Sequence, residues 1–334
     1  MPHSTVREFD DPLSYKASIR NTDLEVFPTA KGQFHGKFIN VSFDRLWLQG
    51  VSESLPRVYV GHVKPSRATI GFLTTFDQPA IQHCGVDVHP GEIILNNFSM
   101  MHRRTVSACQ WGAMTLTPDD LARLSESVVG RELVVPTASQ ILRPERHLFD
   151  RLIHLHRTAT GFAEDNSNAL MQGEIARSLE EELVITMVKC LAEPALDIAL
   201  GRHNRSRIMK RLEEFLSENS SRPLYLADIC QATGAPERTL RASCQETLGM
   251  SPARYLRLRR MHLARRALLA ASIETTVTAV AMDNGFWELG RFAAEYRSLF
   301  GEAPSATLRC SKSGPKSGMR FNKFSLPSSS YPGR

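Results

Sequence analysis

A chain of 334 residues is long enough for two domains, and 42% hydrophobic with 23% charged residues is the balance of a globular protein. That composition sets aside collagenous, disordered and membrane-embedded classes. The net charge of +6 is unevenly placed: residues 201–334 carry 22 Lys/Arg against 11 Asp/Glu, and residues 1–200 carry 19 against 24. A polyanion-binding surface is therefore expected in the C-terminal part. Arg dominates there, which favours forked contacts to phosphate and guanine over point charges.

The first residues lack an apolar secretory core, and no stretch is long and apolar enough to span a bilayer. The six cysteines (84, 109, 190, 230, 244, 310) are scattered, with no Cys-x-x-Cys pair. Reduced, buried thiols in a cytoplasmic protein are the expectation.

Residues 1–33 read as an irregular lead-in. From residue 34 the chain turns strand-like, with expected strands at 34–41, 45–49, 57–63, 68–74, 80–86, 92–97, 104–109 and 112–116. Short strands at this spacing, punctuated by Pro, Gly and Asp, predict a β-sandwich or small barrel. The mouth of a barrel is a usual place for a small ligand, and Trp47, Phe72, His83, His102 and Trp111 are the residues that could line it. Set against this, the aromatics could be core and the histidines hydrogen-bonded surface groups. His83, His89 and His102 form no compact metal-ligand pattern, so no metal and no cofactor are expected.

At Thr117-Pro118-Asp119-Asp120 the character changes to helix, with Pro in the first turn and carboxylates near the N-terminus. Residues 144–157 and 168–191 read as two long amphipathic helices. They either form a homodimer interface or pack on the strands of their own chain. Glu180-Glu181-Glu182 reads as a solvated face, and residues 194–204 as a linker.

Beyond it, Met209, Leu212, Phe215 and Leu216 give one helix a packed face. Leu226, Ile229 and Cys230 share the face of the next, Gly234 suits a left-handed cap, and Pro236 suits the first turn of another helix. This is a helix-turn-helix unit, whose second helix can enter a DNA major groove. The pattern returns after 51 residues: Val277, Val280 and Ala281 line a face, Gly285 breaks it, and residues 286–300 read as a second recognition helix. Between the units runs an Arg-rich helix from Pro252 to Leu269, with Tyr255, Leu258, Met261, Ala264 and Leu268 as its buried stripe. In the first recognition helix Arg238 and Arg241 are three apart and share a face, while Leu240 and Cys244 point to the core. The expected core of the second unit is Phe286, Leu289, Phe292, Tyr296 and Phe300.

Gly249-Met250-Ser251-Pro252-Ala253-Arg254-Tyr255-Leu256 and the run Gly285 to Ser305 (GFWELGRFAAEYRSLFGEAPS) resemble the paired motifs of the AraC/XylS family of bacterial transcription regulators. Two linked motifs in the right order are far more specific than one helix-turn-helix pattern. The resemblance implies an α+β chain: a cupin-like β-barrel with helices, followed by an all-α DNA-binding domain with two helix-turn-helix units. The Pro90-Gly91-Glu92 turn before Ile93 also resembles that family's sensor domains. The implied division is a sensor domain over 1–135, a helical dimerisation or linker region over 136–200, a DNA-binding domain over 201–310 and a flexible tail over 311–334.

By the same resemblance, Arg238, Arg241 and Ala242 face bases from the first unit, and Glu288, Gly290, Arg291 and Ala294 from the second. Thr239, Gln245, Arg254, Arg257 and Arg297 are placed for phosphate. Glu288 stands where related sequences often carry His; a carboxylate there could accept from cytosine N4. The implied function is an effector-responsive activator that binds double-stranded DNA and RNA polymerase, responds to a small molecule, and is not an enzyme. The competing reading is a cupin-like metalloenzyme with an accessory nucleic-acid module, which would need a metal-ligand cluster.

Overall fold

The computed structural model describes residues 2–16, 18–19, 21–96, 100–165, 173–192, 203–219 and 224–312. The N-terminal part runs β1 (His3–Phe9), α1 (Pro12–Lys16), β2 (Thr22–Pro28), β3 (Gly36–Ser42), β4 (Trp47–Glu53), β5 (Arg57–Val63), β6 (Ala68–Leu73), β7 (Ile81–His83), β8 (Val86–Val88), β9 (Ile93–Asn96), β10 (Met100–Arg104) and β11 (Cys109–Leu116). It continues with α2 (Pro118–Val129), β12 (Gln140–Leu142), α3 (Arg146–Glu164) and α4 (Gly173–Ala192). The C-terminal part is α5 (His203–Glu218), α6 (Leu226–Thr233), α7 (Glu237–Leu248), α8 (Pro252–Leu269), α9 (Val277–Asp283), α10 (Leu289–Phe300) and α11 (Pro304–Lys312). The start of the second long helix (168–172), the linker up to residue 202 and the tail from 313 lie outside the described residues.

The strands form two antiparallel sheets, β1-β3-β4-β11-β6-β9-β12 and β2-β5-β10-β7-β8. Among the described residues no ladder joins them, so the expected cupin-like barrel is instead a pair of facing sheets. Among the described residues the five-stranded sheet ends on β8 and the seven-stranded sheet on β12, and neither edge pairs with the other sheet. The lead-in expected to be irregular contributes β1 and β2, one edge of each sheet.

Four layers follow from side-chain alternation. Ile39, Val41, Leu48, Ile70, Phe72, Met114 and Leu116 face outward from the seven-stranded sheet, onto Leu152, Leu183 and Met187 of α3 and α4. The two long amphipathic helices thus spend their apolar faces within their own chain. Thr117 caps α2, accepting from Asp120 N at 3.1 Å, as its sequence predicts. Glu180 departs from the expected solvated face: it is buried and accepts from Arg45 N and Leu46 N at 2.7 and 2.9 Å. It closes a turn of the sheet from the helical layer.

The inner faces of the two sheets enclose a cavity, and the outer face of the five-stranded sheet carries the DNA-binding helices. Phe27, Val58 and Val60 share one core with Ile208, Met209, Leu212, Leu240, Cys244, Leu248 and Tyr255. The second unit has its own core of Met261, Ala264, Leu268, Val280, Ala281, Phe286, Phe292 and Tyr296. Leu289, expected inside it, is exposed instead, because α10 begins only there and Phe286 reaches the core from the preceding turn.

Candidate functional site

The first helix-turn-helix unit is α6 and α7. Gly234 sits between them at φ +65°, the left-handed geometry that glycine adopts without strain, and its N–H reaches back to Gln231 O. Buried Leu240, Ser243, Cys244, Thr247 and Leu248 fix the rotation of α7, leaving Arg238, Arg241, Ala242 and Gln245 exposed and Thr239 half-buried. All but Thr239 of the first unit's expected DNA-facing residues therefore project from one open surface. Burial pushes the Cys244 thiol up to about 12, with the Glu213 carboxylate adding to the shift, so it is a packing group.

α9 and α10 repeat the plan, with Gly285 at φ +74° in the turn. Thr276 caps α9, accepting from Ala279 N at 3.1 Å. Glu288, Gly290, Arg291, Ala294 and Arg297 are all exposed.

Three arginines of this surface, Arg241, Arg257 and Arg291, have intramolecular partners. Arg241 is paired with Glu237 one turn back, at 2.7 Å from Nε. Arg291 reaches Glu295 at 3.1 Å and Glu288 at 3.8 Å. Arg257 grips Glu295 with two bonds of 2.5 and 2.7 Å, so the carboxylate ties α8 to α10, and these guanidiniums hold its pKa below the usual value despite partial burial. Arg254 is exposed with no ion pair among the described residues. Of the other α8 arginines, Arg259 pairs with Glu213 at 2.9 Å, Arg265 with Glu302 at 3.0 Å and Arg266 with Glu25 at 2.6 Å. Much of the basic charge on α8 thus serves packing between elements.

The sensor half meets this domain through β2, β5 and β10. Phe27 inserts between Tyr255 and His262 of α8, edge-on to both rings at 6.1 and 5.4 Å. His262 donates to Pro28 O at 3.3 Å; burial first, with Arg265 and Arg266 adding to it, lowers its pKa to about 4, so the ring is neutral. Glu213, buried under α7, holds Arg259 on one oxygen and His102 at 3.3 Å on the other.

A small cavity of about 60 Å³ lies between the sheets. Tyr15, Leu24, Phe38, Val51 and Met101 give it apolar walls, and Trp111 closes one side. The close approach of that indole to β6 requires Gly71, where any Cβ would collide with it. A polar cluster lies at one end: Arg57 Nε donates to Tyr59 Oη at 3.2 Å, Arg57 Nη1 to Leu55 O at 2.6 Å, and both Arg57 and Tyr59 bond to Glu53. Tyr15 joins through Tyr59 Oη at 3.3 Å.

Of the five residues expected to line an effector cavity, Trp111 does. Phe72 is on the opposite face of the same sheet, in the helical core against Phe149. Trp47 lies under the Arg67 guanidinium at 4.1 Å. His83 is buried with neither ring nitrogen bonded, its pKa lowered to about 3 by burial, then by Arg103 and His102. His102 faces the DNA-binding domain instead. Sequence reading missed Glu53, Arg57, Tyr59 and Arg103. In β5, RVYVGHV, both faces are buried, so the polar members of the cavity face look like breaks in an apolar strand. Among the described residues no group of three or more His, Cys, Asp or Glu is placed to share a metal ion, and no helix is long and apolar enough to cross a membrane.

The model of a helix-turn-helix domain matches residues 229–309. The probable thc operon regulatory protein of Rhodococcus erythropolis is 28% identical over 62% of this chain and 68% of its own. The XylDLEGF operon transcriptional activator of Pseudomonas putida is 29% identical over 60% and 67%. A solved structure, a probable AraC family transcriptional regulator from Rhodopseudomonas palustris CGA009, is 35% identical over 31% of this chain and 96% of that one, with a TM-score of 0.29. The enzyme alternative draws no support from the two curated relatives, which are named as an operon regulatory protein and an operon transcriptional activator. With paired helix-turn-helix units, an exposed arginine row on each and regulators as its matched relatives, the chain belongs to the AraC/XylS family and is a DNA-binding transcription regulator.

Proposed function

We propose that the chain is a cytoplasmic, effector-responsive activator that reads two segments of major groove and changes its grip on DNA when a small molecule enters the sensor cavity. Arg238, Arg241 and Ala242 read bases from α7, and Glu288, Gly290, Arg291 and Ala294 from α10. Thr239, Gln245, Arg254, Arg257 and Arg297 hold phosphates; Arg257 does so by releasing Glu295. RNA polymerase and a second copy of the chain are its protein partners in this reading, and it is not an enzyme.

One observation carries the effector part. The five-stranded sheet has the cavity on one face and the first helix-turn-helix unit on the other, with Met101 lining the cavity and His102 on Glu213 of α5. A ligand pressing on β5 or β10 therefore acts on the seat of α5 and α7 across a single sheet. Occupancy mapping of the tagged chain across the genome tests the proposal. The expected sites hold two sequence elements about 34 Å apart along the duplex, with occupancy that changes under some growth conditions. Sites without any shared sequence, or occupancy indifferent to every condition, refute it.

A further inference from the structure

The turn of the second helix-turn-helix unit is one residue longer than that of the first. Leu240, the first core residue of α7, follows its turn glycine Gly234 by six positions, and Phe292, its counterpart on α10, follows Gly285 by seven. Where Pro236 alone stands between the buried Ala235 and α7, Trp287 and Glu288 stand between the buried Phe286 and α10. Trp287 is 67% exposed, and among the described residues it makes no ring contact and no hydrogen bond. Leu289, which opens α10, is exposed beside it. Gly290 comes next, and a Cβ there would meet nothing within 4 Å. No packing contact therefore asks for glycine, although it is the poorest helix former after proline. The tip of the second unit thus presents two large apolar side chains, a bare stretch of backbone and the Glu288 carboxylate, which repels phosphate.

We propose that Trp287 and Leu289 form the two walls of a contact to a thymine methyl group in the DNA element read by α10, with the missing side chain of Gly290 letting the base edge come close. This rests on the base-reading role given to α10 above and specifies its chemistry. The thymine methyl is the one apolar group that a base pair presents in the major groove. An indole and an isobutyl group can take it out of water without needing a donor or a charge. A phosphate fits the tip poorly: the indole N–H is its one side-chain donor, and Glu288 stands next to it. The first unit carries Pro236, Glu237 and Arg238 at the matching place and has no such apolar pair. The two units therefore read different chemistry, which fixes the direction in which the chain lies on its site.

The test uses the purified full-length chain and synthetic duplexes carrying the site it selects from a random pool. Each thymine of that site is replaced in turn by deoxyuridine, which lacks only the methyl group. Wild type is expected to lose about fourfold in affinity at one thymine, the worth of one buried methyl-sized group. Trp287→Ala is expected to bind that duplex and its deoxyuridine version alike, and to keep the wild-type Tm because the indole is exposed. No thymine sensitive to the loss of its methyl, or a sensitivity that survives Trp287→Ala, overturns the proposal. An affinity loss in Trp287→Ala that is equal on every sequence makes Trp287 a backbone contact and overturns it too. So does normal DNA binding with lost transcription, which assigns the tip to a protein partner. Arg291→Ala separates the two levels of the claim. If it alters the selected motif and Trp287→Ala does not, the methyl contact alone falls; if neither alters it, the base-reading role of α10 falls with it.

Discussion

Arg241→Ala tests the base-reading role proposed for Arg241, because the interaction that competes with DNA for its side chain is defined. In the free chain Arg241 is 53% exposed and pairs with Glu237 one helical turn back. An exposed pair of that spacing contributes about 0.3–0.5 kcal/mol. A bidentate grip on guanine O6 and N7 discriminates by ~1–3 kcal/mol. DNA therefore wins the side chain from Glu237, and the surplus lost on truncation is roughly 0.5–2.7 kcal/mol, about twofold to a hundredfold in affinity for the preferred site. Fold stability should hardly move, since Leu240 and Cys244 on the other face of α7 carry the packing. The assay selects duplexes from a random pool with wild type and variant, then titrates both against the winning site and a scrambled one. Wild type and variant should differ at one base pair of the recovered motif and bind the scrambled duplex almost alike. An unchanged motif with equal affinity loss on both duplexes would make Arg241 a phosphate contact and refute the assignment.

Glu213→Ala should cost about 3–5 kcal/mol in urea unfolding, because it strands the mostly buried Arg259; a cost below about 1 kcal/mol would mean that the contact is not closed in solution. Stability should also fall with acid. His83, His156 and His262 have pKa values lowered to about 3, 4 and 4, in each case chiefly by burial. In the unfolded chain each takes up its proton near pH 6.5. The unfolded state thus binds more protons between pH 6.5 and 4, stability is complete above that window, and it declines as pH falls through it. Urea midpoints at pH 7.5, 6 and 5 check this, and His262→Gln, which removes the ring held among Pro28, Arg265, Arg266 and Glu25, should make the decline shallower. A midpoint that does not move between pH 7.5 and 5 would contradict the buried, neutral state of these rings.

The DNA-binding half was legible because its signals are local. Gly234, Gly285 and Pro236 stand where backbone geometry demands them, and the 3.6-residue stripe on α8 survives in Tyr255, Met261, Ala264 and Leu268. Leu258 is only half-buried, and Leu289 is exposed because Gly285-Phe286-Trp287-Glu288 is turn rather than helix. The sensor half was harder to read. β1 and β2 pair with strands far along the chain, and their sequences lack the clean alternation that marks a sheet with one wet face. His102 was expected at a ligand because a histidine among strands suggests chemistry; its partner, Glu213, is 111 residues away on a helix, and no spacing rule connects them.

Missing alternation in β5 and β10 is itself informative. Each of these strands is covered on both sides, with the cavity on one face and the helical domain on the other. In β10 Met101 and Arg103 point to the cavity, while Met100 and His102 meet the helices. A one-residue slip of that strand would exchange the two sets, placing Arg103 against the apolar helices and His102 inside the cavity. Its register is therefore held by both neighbours at once. The pairings with β5, Met101 with Gly61 and Arg103 with Tyr59, put the unpaired guanidinium beside the Glu53–Arg57–Tyr59 cluster. Polar residues that look like flaws in an apolar strand are thus the ones that give the cavity its charge, and the apolar residues between them hold the DNA-reading helices in place.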